Sequence, residues 1–151
     1  MSTLIAGLGN VLMGDDAIGP TLIHHLQARY EFPEGIELQD LGTPGVDLAR
    51  HLAGHETVVV LDAIAAPEQP PGTVRRLGKD ELEAFSGVWR TDGHAPDWSE
   101  SLRLSALYGT PPDRVMLIGV VVGSCVYRGA AIRRVAATVR GDPAAGGGGA
   151  E

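Results

Sequence analysis

Cysteine, aromatic side chains and positive charge are all scarce in this chain, and each scarcity removes a class of explanation. Among 151 residues there is one cysteine, Cys125, so no internal disulfide can form and no C-x-x-C metal or redox motif exists. No apolar run approaches the ~20 residues that a membrane-spanning helix requires, so no membrane partner is expected. The opening MSTLIAGLGN carries neither a basic leader nor a small-residue cleavage site, which with the single thiol predicts a cytoplasmic protein. Twelve Lys and Arg face nineteen Asp and Glu, a net charge of −7. Phosphate neutralisation supplies most nucleic-acid affinity, so a nucleic-acid partner is not expected. The motifs H-E-x-x-H, G-x-S-x-G and G-x-x-x-x-G-K-[ST] are also absent.

What remains is an ordinary globular composition, 44% hydrophobic and 21% charged, in a length that suits one domain with a buried core. Apolar runs at 3–8, 35–42, 57–64 and 114–122 predict strands, and a less apolar run at 73–77 predicts an edge strand. TVVVLDAI (57–64) is apolar on both parities, as expected of a central parallel strand buried on both faces. Helical spacing recurs from Ala17 to Tyr30, Val46 to Leu52, Ser99 to Tyr108 and about Ala130 to Arg140. Residues 85–98, FSGVWRTDGHAPDW, have no clear period and predict a long loop. GDPAAGGGGAE predicts a disordered tail over 141–151, leaving 1–140 as a single domain. Strands alternating with helices indicate an α/β sandwich around a mostly parallel sheet. In such sheets sites collect beyond the carboxyl ends of the strands.

Three places therefore matter: the loop after the first strand, with Asp15 and Asp16, the end of the second strand, with Asp40, and the end of the central strand, with Asp62. The first lies in LIAGLGNVLMGDDAIGP (4–20), a strand running into a glycine-rich turn and then a helix. That order resembles a dinucleotide-binding loop, but the third glycine comes too late for G-x-G-x-x-G. Two aspartates would also occupy the helix N-terminal field that attracts phosphate. One of them, Asp15 being better placed, serves as a helix N-cap, which leaves the other free for a cation. Asp62 either caps the turn after its strand or supplies a second oxygen ligand, and no helix starts directly after it to be capped. Among the histidines, His24, His25, His51 and His55 lie on or beside helices and read as surface or packing residues. His94 sits in the long loop between Trp89 and Trp98. Two carboxylates and an imidazole suit nickel, zinc or manganese without choosing between them. Cys125 reads as a small packing residue.

These blocks resemble the hydrogenase maturation proteases, the endopeptidases that finish the large subunit of nickel–iron hydrogenases. The resemblance runs in register from LIAGLGNVLMGDDAIGP through IELQDLGTPGVDL, VVVLDAI and PPGTV, the loop histidine and LSAL, to VMLIGVVV, roughly residues 4 to 122. It implies a three-layer sandwich, phosphorylase/hydrolase-like, with a twisted, mostly parallel sheet of about five strands. It also implies removal of a C-terminal extension from a large-subunit precursor after nickel insertion. The family's metal-contacting residues fall on Asp16, Asp62 and His94, which are also the residues expected to take part in catalysis. Gly9, Asn10 and Asp15 of the first motif, and Asp40, Gly42 and Thr43 of the GTPG turn, are expected to support the cleft. The metal would be nickel carried by the precursor, and the protein is expected to act as a monomer.

Position 16 is aspartate where some members have glutamate, a shorter arm by about one carbon–carbon bond. The region after Val122 is shorter than the family pattern. The Trp89–Trp98 loop is a candidate precursor-contacting surface, the alternative being a lid that merely packs. GLGN also resembles peptidyl-tRNA hydrolase, but Val11 follows where that family has proline, and no T-R-H-N is present. A non-catalytic nickel-binding or assembly protein is the rival from another class.

Overall fold

The computed structural model describes residues 2–9, 18–64, 68–84, 98–121 and 128–139. Five strands carry the fold: β1 (Thr3–Leu8), β2 (Ile36–Gly42), β3 (Thr57–Ile64), β4 (Val74–Gly78) and β5 (Arg114–Val121). Their order in the sheet is β2-β1-β3-β5-β4. β1 is parallel to β2 and β3, β3 is parallel to β5, and only β4 runs antiparallel, on the outer edge beside β5. The chain leaves β1 in one direction to form β2 and then returns to its other side to form β3. The carboxyl ends of β1 and β3 thus flank the point where strand order reverses, the preferred crevice of open α/β sheets.

Side-chain alternation divides the core between two faces. Leu4, Ala6 and Leu8 of β1, Val58, Val60 and Ile64 of β3, and Val115, Leu117 and Val121 of β5 share one buried cluster. The helices covering it are α2 (Leu48–Leu52), α3 (Lys79–Ala84) and α4 (Trp98–Ser105), through Leu48, Leu52, Leu82, Trp98 and Leu102. The intervening positions Ile5, Leu61, Ala63, Ile118 and Val120 face α1 (Ile18–Arg29) and α5 (Arg128–Val139), which contribute Ile18, Leu22, Ile23, Leu26, Val135 and Ala136. β3 is apolar on both parities because it is covered on both faces. The result is the expected three-layer α/β sandwich.

Helix α1 approaches the sheet so closely that two glycines are required. A Cβ on Gly7 would lie 2.5 Å from the Gly19 carbonyl oxygen and 2.6 Å from Ile23 Cγ1. A Cβ on Gly19 would run into the Leu8 carbonyl oxygen and lie 2.6 Å from that of Leu61. The start of α1 therefore rests backbone against backbone on β1 and β3, beside the crevice.

Three sequence expectations change. The helix expected over Ser99 to Tyr108 spans Trp98–Ser105 and gives way to a turn, because Gly109, Pro111 and Pro112 follow. Leu107, placed on its apolar face by spacing, is 79% exposed. Trp98, assigned to the loop, opens α4 and is 4% exposed, so it is a core residue and not part of a precursor-contacting surface. Helix α3 was not expected, since KDELEA offers a single large apolar side chain, Leu82, and no period to detect. The expected tail, 141–151, and Trp89 lie outside the described residues. Among the described residues, no helix is long and apolar enough to cross a membrane.

Candidate functional site

Asp62 is the one charged side chain in the buried core of the described residues, 3% exposed. Strand alternation places it with Val60 and Ile64, on the face covered by α2 and α4. It lies within β3 and not at its end, because the strand continues to Ile64. Its Oδ1 accepts a hydrogen bond from the Ala63 backbone N–H at 2.8 Å. Burying a carboxylate is costly unless it is hydrogen-bonded, paired or bound to a metal. A carboxylate set among apolar strand residues is a candidate for a functional group.

Asp40 lies two strands away and is occupied differently. It pairs in register with Gly7 of β1, and β2 runs on to Gly42. Its Oδ1 accepts the Gly42 N–H at 3.0 Å, an Asx turn, and its Oδ2 lies 3.4 Å from His24 Nε2 on α1. Gly42 and Gly45 both have positive φ, +59° and +57°, so the GTPG turn takes a path that glycine adopts without strain. The turn in turn holds the end of β1: the Gly9 N–H donates to the Gly42 carbonyl at 2.8 Å. Gly9 itself has φ +142°. Thr43 is exposed beside them. Asp40, Gly42 and Gly9 are thus joined in one hydrogen-bonded turn. That turn holds the backbone at the end of β1.

Asp40→Ala is expected to lose that turn bond, lowering unfolding free energy by about 1 kcal/mol in urea denaturation. Asp40→Asn retains the acceptor oxygen and should stay within a few tenths of wild type.

Asn10, Asp15, Asp16, His94 and Cys125 lie outside the described residues. Among the described residues, no three His, Cys, Asp or Glu side chains come together as a metal cluster. Of the other histidines, His24 is exposed beside Asp40, and His55 has its Nε2 3.8 Å from Glu37 Oε2. Sequence reasoning passed over Gly19, whose signal was a glycine in the first turn of an otherwise apolar helix. It also passed over Gly119, which stands opposite Asp62 in the β3–β5 ladder.

Comparison with known proteins agrees with this architecture. The family model of hydrogenase maturation proteases matches residues 20–135. The hydrogenase expression/formation protein HoxM of Azotobacter vinelandii is 36% identical over 117 residues, 78% of this chain and 56% of that protein. The hydrogenase 2 maturation protease of Escherichia coli K12 is 31% identical over 121 residues, 80% of this chain and 73% of that protein. The chain spans little more than half the length of several such curated relatives. Among solved structures, the hydrogenase maturating endopeptidase HybD from E. coli superimposes with a TM-score of 0.76 at 27% identity, covering 95% of this chain and 94% of that one. The [NiFe] hydrogenase maturation protease HybD from Thermococcus kodakarensis gives 0.71 at 25% identity, covering 93% and 98%. By the matched family model, the sequence identity and the shared fold, this chain belongs to the hydrogenase maturation protease family.

Proposed function

We propose that the protein is an endopeptidase that removes a C-terminal extension from the nickel-loaded large-subunit precursor of a nickel–iron hydrogenase. The observation that carries this reading is the buried Asp62 carboxylate, set in the central strand next to the switch-point crevice. Family membership supplies the class of reaction, and relatives such as the hydrogenase 2 maturation protease of E. coli K12 supply the class of substrate.

Asp16, Asp62 and His94 are proposed to contact the precursor's nickel. Chain connectivity permits that grouping. Asp16 is two residues from Ile18, at the start of the helix that rests on Leu8 and Leu61, and two residues of chain reach at most about 7 Å. His94 is four residues from Trp98, which packs in the same buried cluster as Val60 and Ile64 on either side of Asp62, and four residues reach at most about 14 Å. Two carboxylate oxygens and an imidazole nitrogen match the borderline preferences of a divalent nickel ion. An unloaded precursor lacks that handle and is not engaged.

The cleavage itself consumes one water. Its oxygen attacks the scissile carbonyl carbon, the C–N bond breaks, and the departing nitrogen takes the proton that the water gives up. Holding the metal-bearing end of the precursor fixed over the carboxyl ends of the strands orients the scissile bond for that attack. The metal is cargo of the substrate, and the protein is proposed to act as a cytoplasmic monomer without nucleic-acid or membrane partners.

Incubation with matched nickel-loaded and nickel-free precursor, resolved by gel mobility, tests this reading. The loaded precursor is expected to shorten at least ten times faster than the nickel-free form. Equal rates on both would remove nickel recognition from the proposal, and no shortening of either would remove the protease.

A further inference from the structure

Asp62 owes its surroundings to a missing side chain. In the β3–β5 ladder Asp62 pairs with Gly119, and Ile64 pairs with Val121. Directly paired residues point to the same face of a sheet. A side chain at position 119 would therefore stand beside the Asp62 carboxylate. Ile64 takes that space instead. A Cβ on Gly119 would lie 2.6 Å from Ile64 Cγ2, 2.9 Å from Cδ1 and 3.2 Å from Cγ1. The isoleucine, two residues beyond Asp62 and on its face, thus leans diagonally across β5. It is 1% exposed, and Leu8, at the end of the neighbouring β1, is 0% exposed.

We propose that Gly119 and Ile64 are positioning residues for Asp62: the bare strand position lets Ile64 wall the β5 flank of the carboxylate with hydrocarbon. The wall limits the directions in which the carboxylate can turn and keeps water from that side. A carboxylate so confined meets an incoming cation with less reorganisation than one free to turn toward that flank. This rests on the reading of Asp62 as a nickel-facing group. A methyl group at 119 would displace Ile64 from the flank, while shortening position 64 at the same time would let that methyl fill the vacated space.

The test compares wild type, Gly119→Ala, Ile64→Ala and the double variant Gly119→Ala/Ile64→Ala. Each is measured for kcat/KM on nickel-loaded precursor, for melting temperature and for the 13C shift of the Asp62 side-chain carboxyl at fixed pH. Gly119→Ala is expected to lose at least tenfold in kcat/KM and to move the carboxyl resonance. The double variant should recover at least fivefold of that loss and return the resonance toward wild type, although its melting temperature stays below wild type. Activity that simply follows melting temperature through the series would overturn the proposal, since a merely structural pair would behave that way. A Gly119→Ala protein within twofold of wild type would overturn it too. Should Gly119→Ala not fold, Ile64→Ala alone still decides: a carboxyl resonance unchanged from wild type contradicts the wall. The resonance needs no turnover, so a wild type that cleaves no precursor would defeat the protease reading while leaving the positioning of Asp62 to be judged on the spectra.

Discussion

Asp62→Asn is expected to lower precursor processing by at least on the order of a hundredfold, the upper range for losing even an indirect metal-site partner, while the fold survives. The substitution keeps the shape of the side chain and an oxygen that can accept the Ala63 N–H, and it removes the negative charge from a position 3% exposed. A buried charge kept for packing would be an odd choice, because neutral groups of similar size cost less to bury. The melting temperature of Asp62→Asn should therefore fall by no more than about 4 °C. Rate assays on nickel-loaded precursor, paired with thermal unfolding, check both halves. If activity and stability collapse together, Asp62 is a structural residue and the site lies elsewhere. Retained activity would show that the buried charge is not needed for processing.

Gly19→Ala should have the largest effect on stability, about 3 kcal/mol or more in urea denaturation. Helix propensity alone predicts the opposite sign, since alanine is favoured over glycine by about 1 kcal/mol inside a helix. Sterics decide. The added methyl would press on the Leu8 carbonyl oxygen and come within 2.6 Å of the Leu61 carbonyl oxygen and 2.8 Å of the Leu8 nitrogen. All three are backbone atoms of the central strands and cannot rotate away as a side-chain tip would. Relief requires α1 to lift from the sheet, which loosens the packing of Leu22, Ile23 and Leu26, each 0% exposed. Because the acidic pair lies just before α1 in the chain, processing should fall as well. A stable Gly19→Ala protein would mean that α1 can slide on the sheet at little cost.

Much of this fold was legible in the sequence because its strands are short, apolar and separated by unambiguous turns. TVVVLDAI, apolar on both parities, could only be a strand covered on both faces, and it is the central one. The antiparallel edge strand Val74–Gly78 betrayed itself by its arginines. Helices with one apolar contact were not legible: α3 is anchored by Leu82 alone among its described side chains, which no periodicity can reveal. The end of α4 was overextended because Leu107 continues the spacing, although glycine and proline downstream turn the chain before it can pack.

For the candidate site, the types and spacing of acidic residues pointed to Asp62 and Asp40, but their roles depend on register. Asp62 lies inside its strand opposite a glycine, and Asp40 spends its oxygens on a turn and on His24. Neither Gly19 nor Gly119 could be singled out, because the need for a bare backbone arises from elements distant in the chain. Such close approaches are invisible until the elements are packed.

The decisive measurement is the intact mass of a nickel-loaded large-subunit precursor after incubation with wild-type protein and with Asp16→Ala. A discrete C-terminal truncation by wild type, at least a hundredfold slower with a folded Asp16→Ala variant, is the expected result. Full-length precursor in both tubes, with the cognate pairing established by binding, would contradict it and leave a metal-binding assembly protein in its place. Equal truncation by both proteins would contradict the role given to the acidic pair.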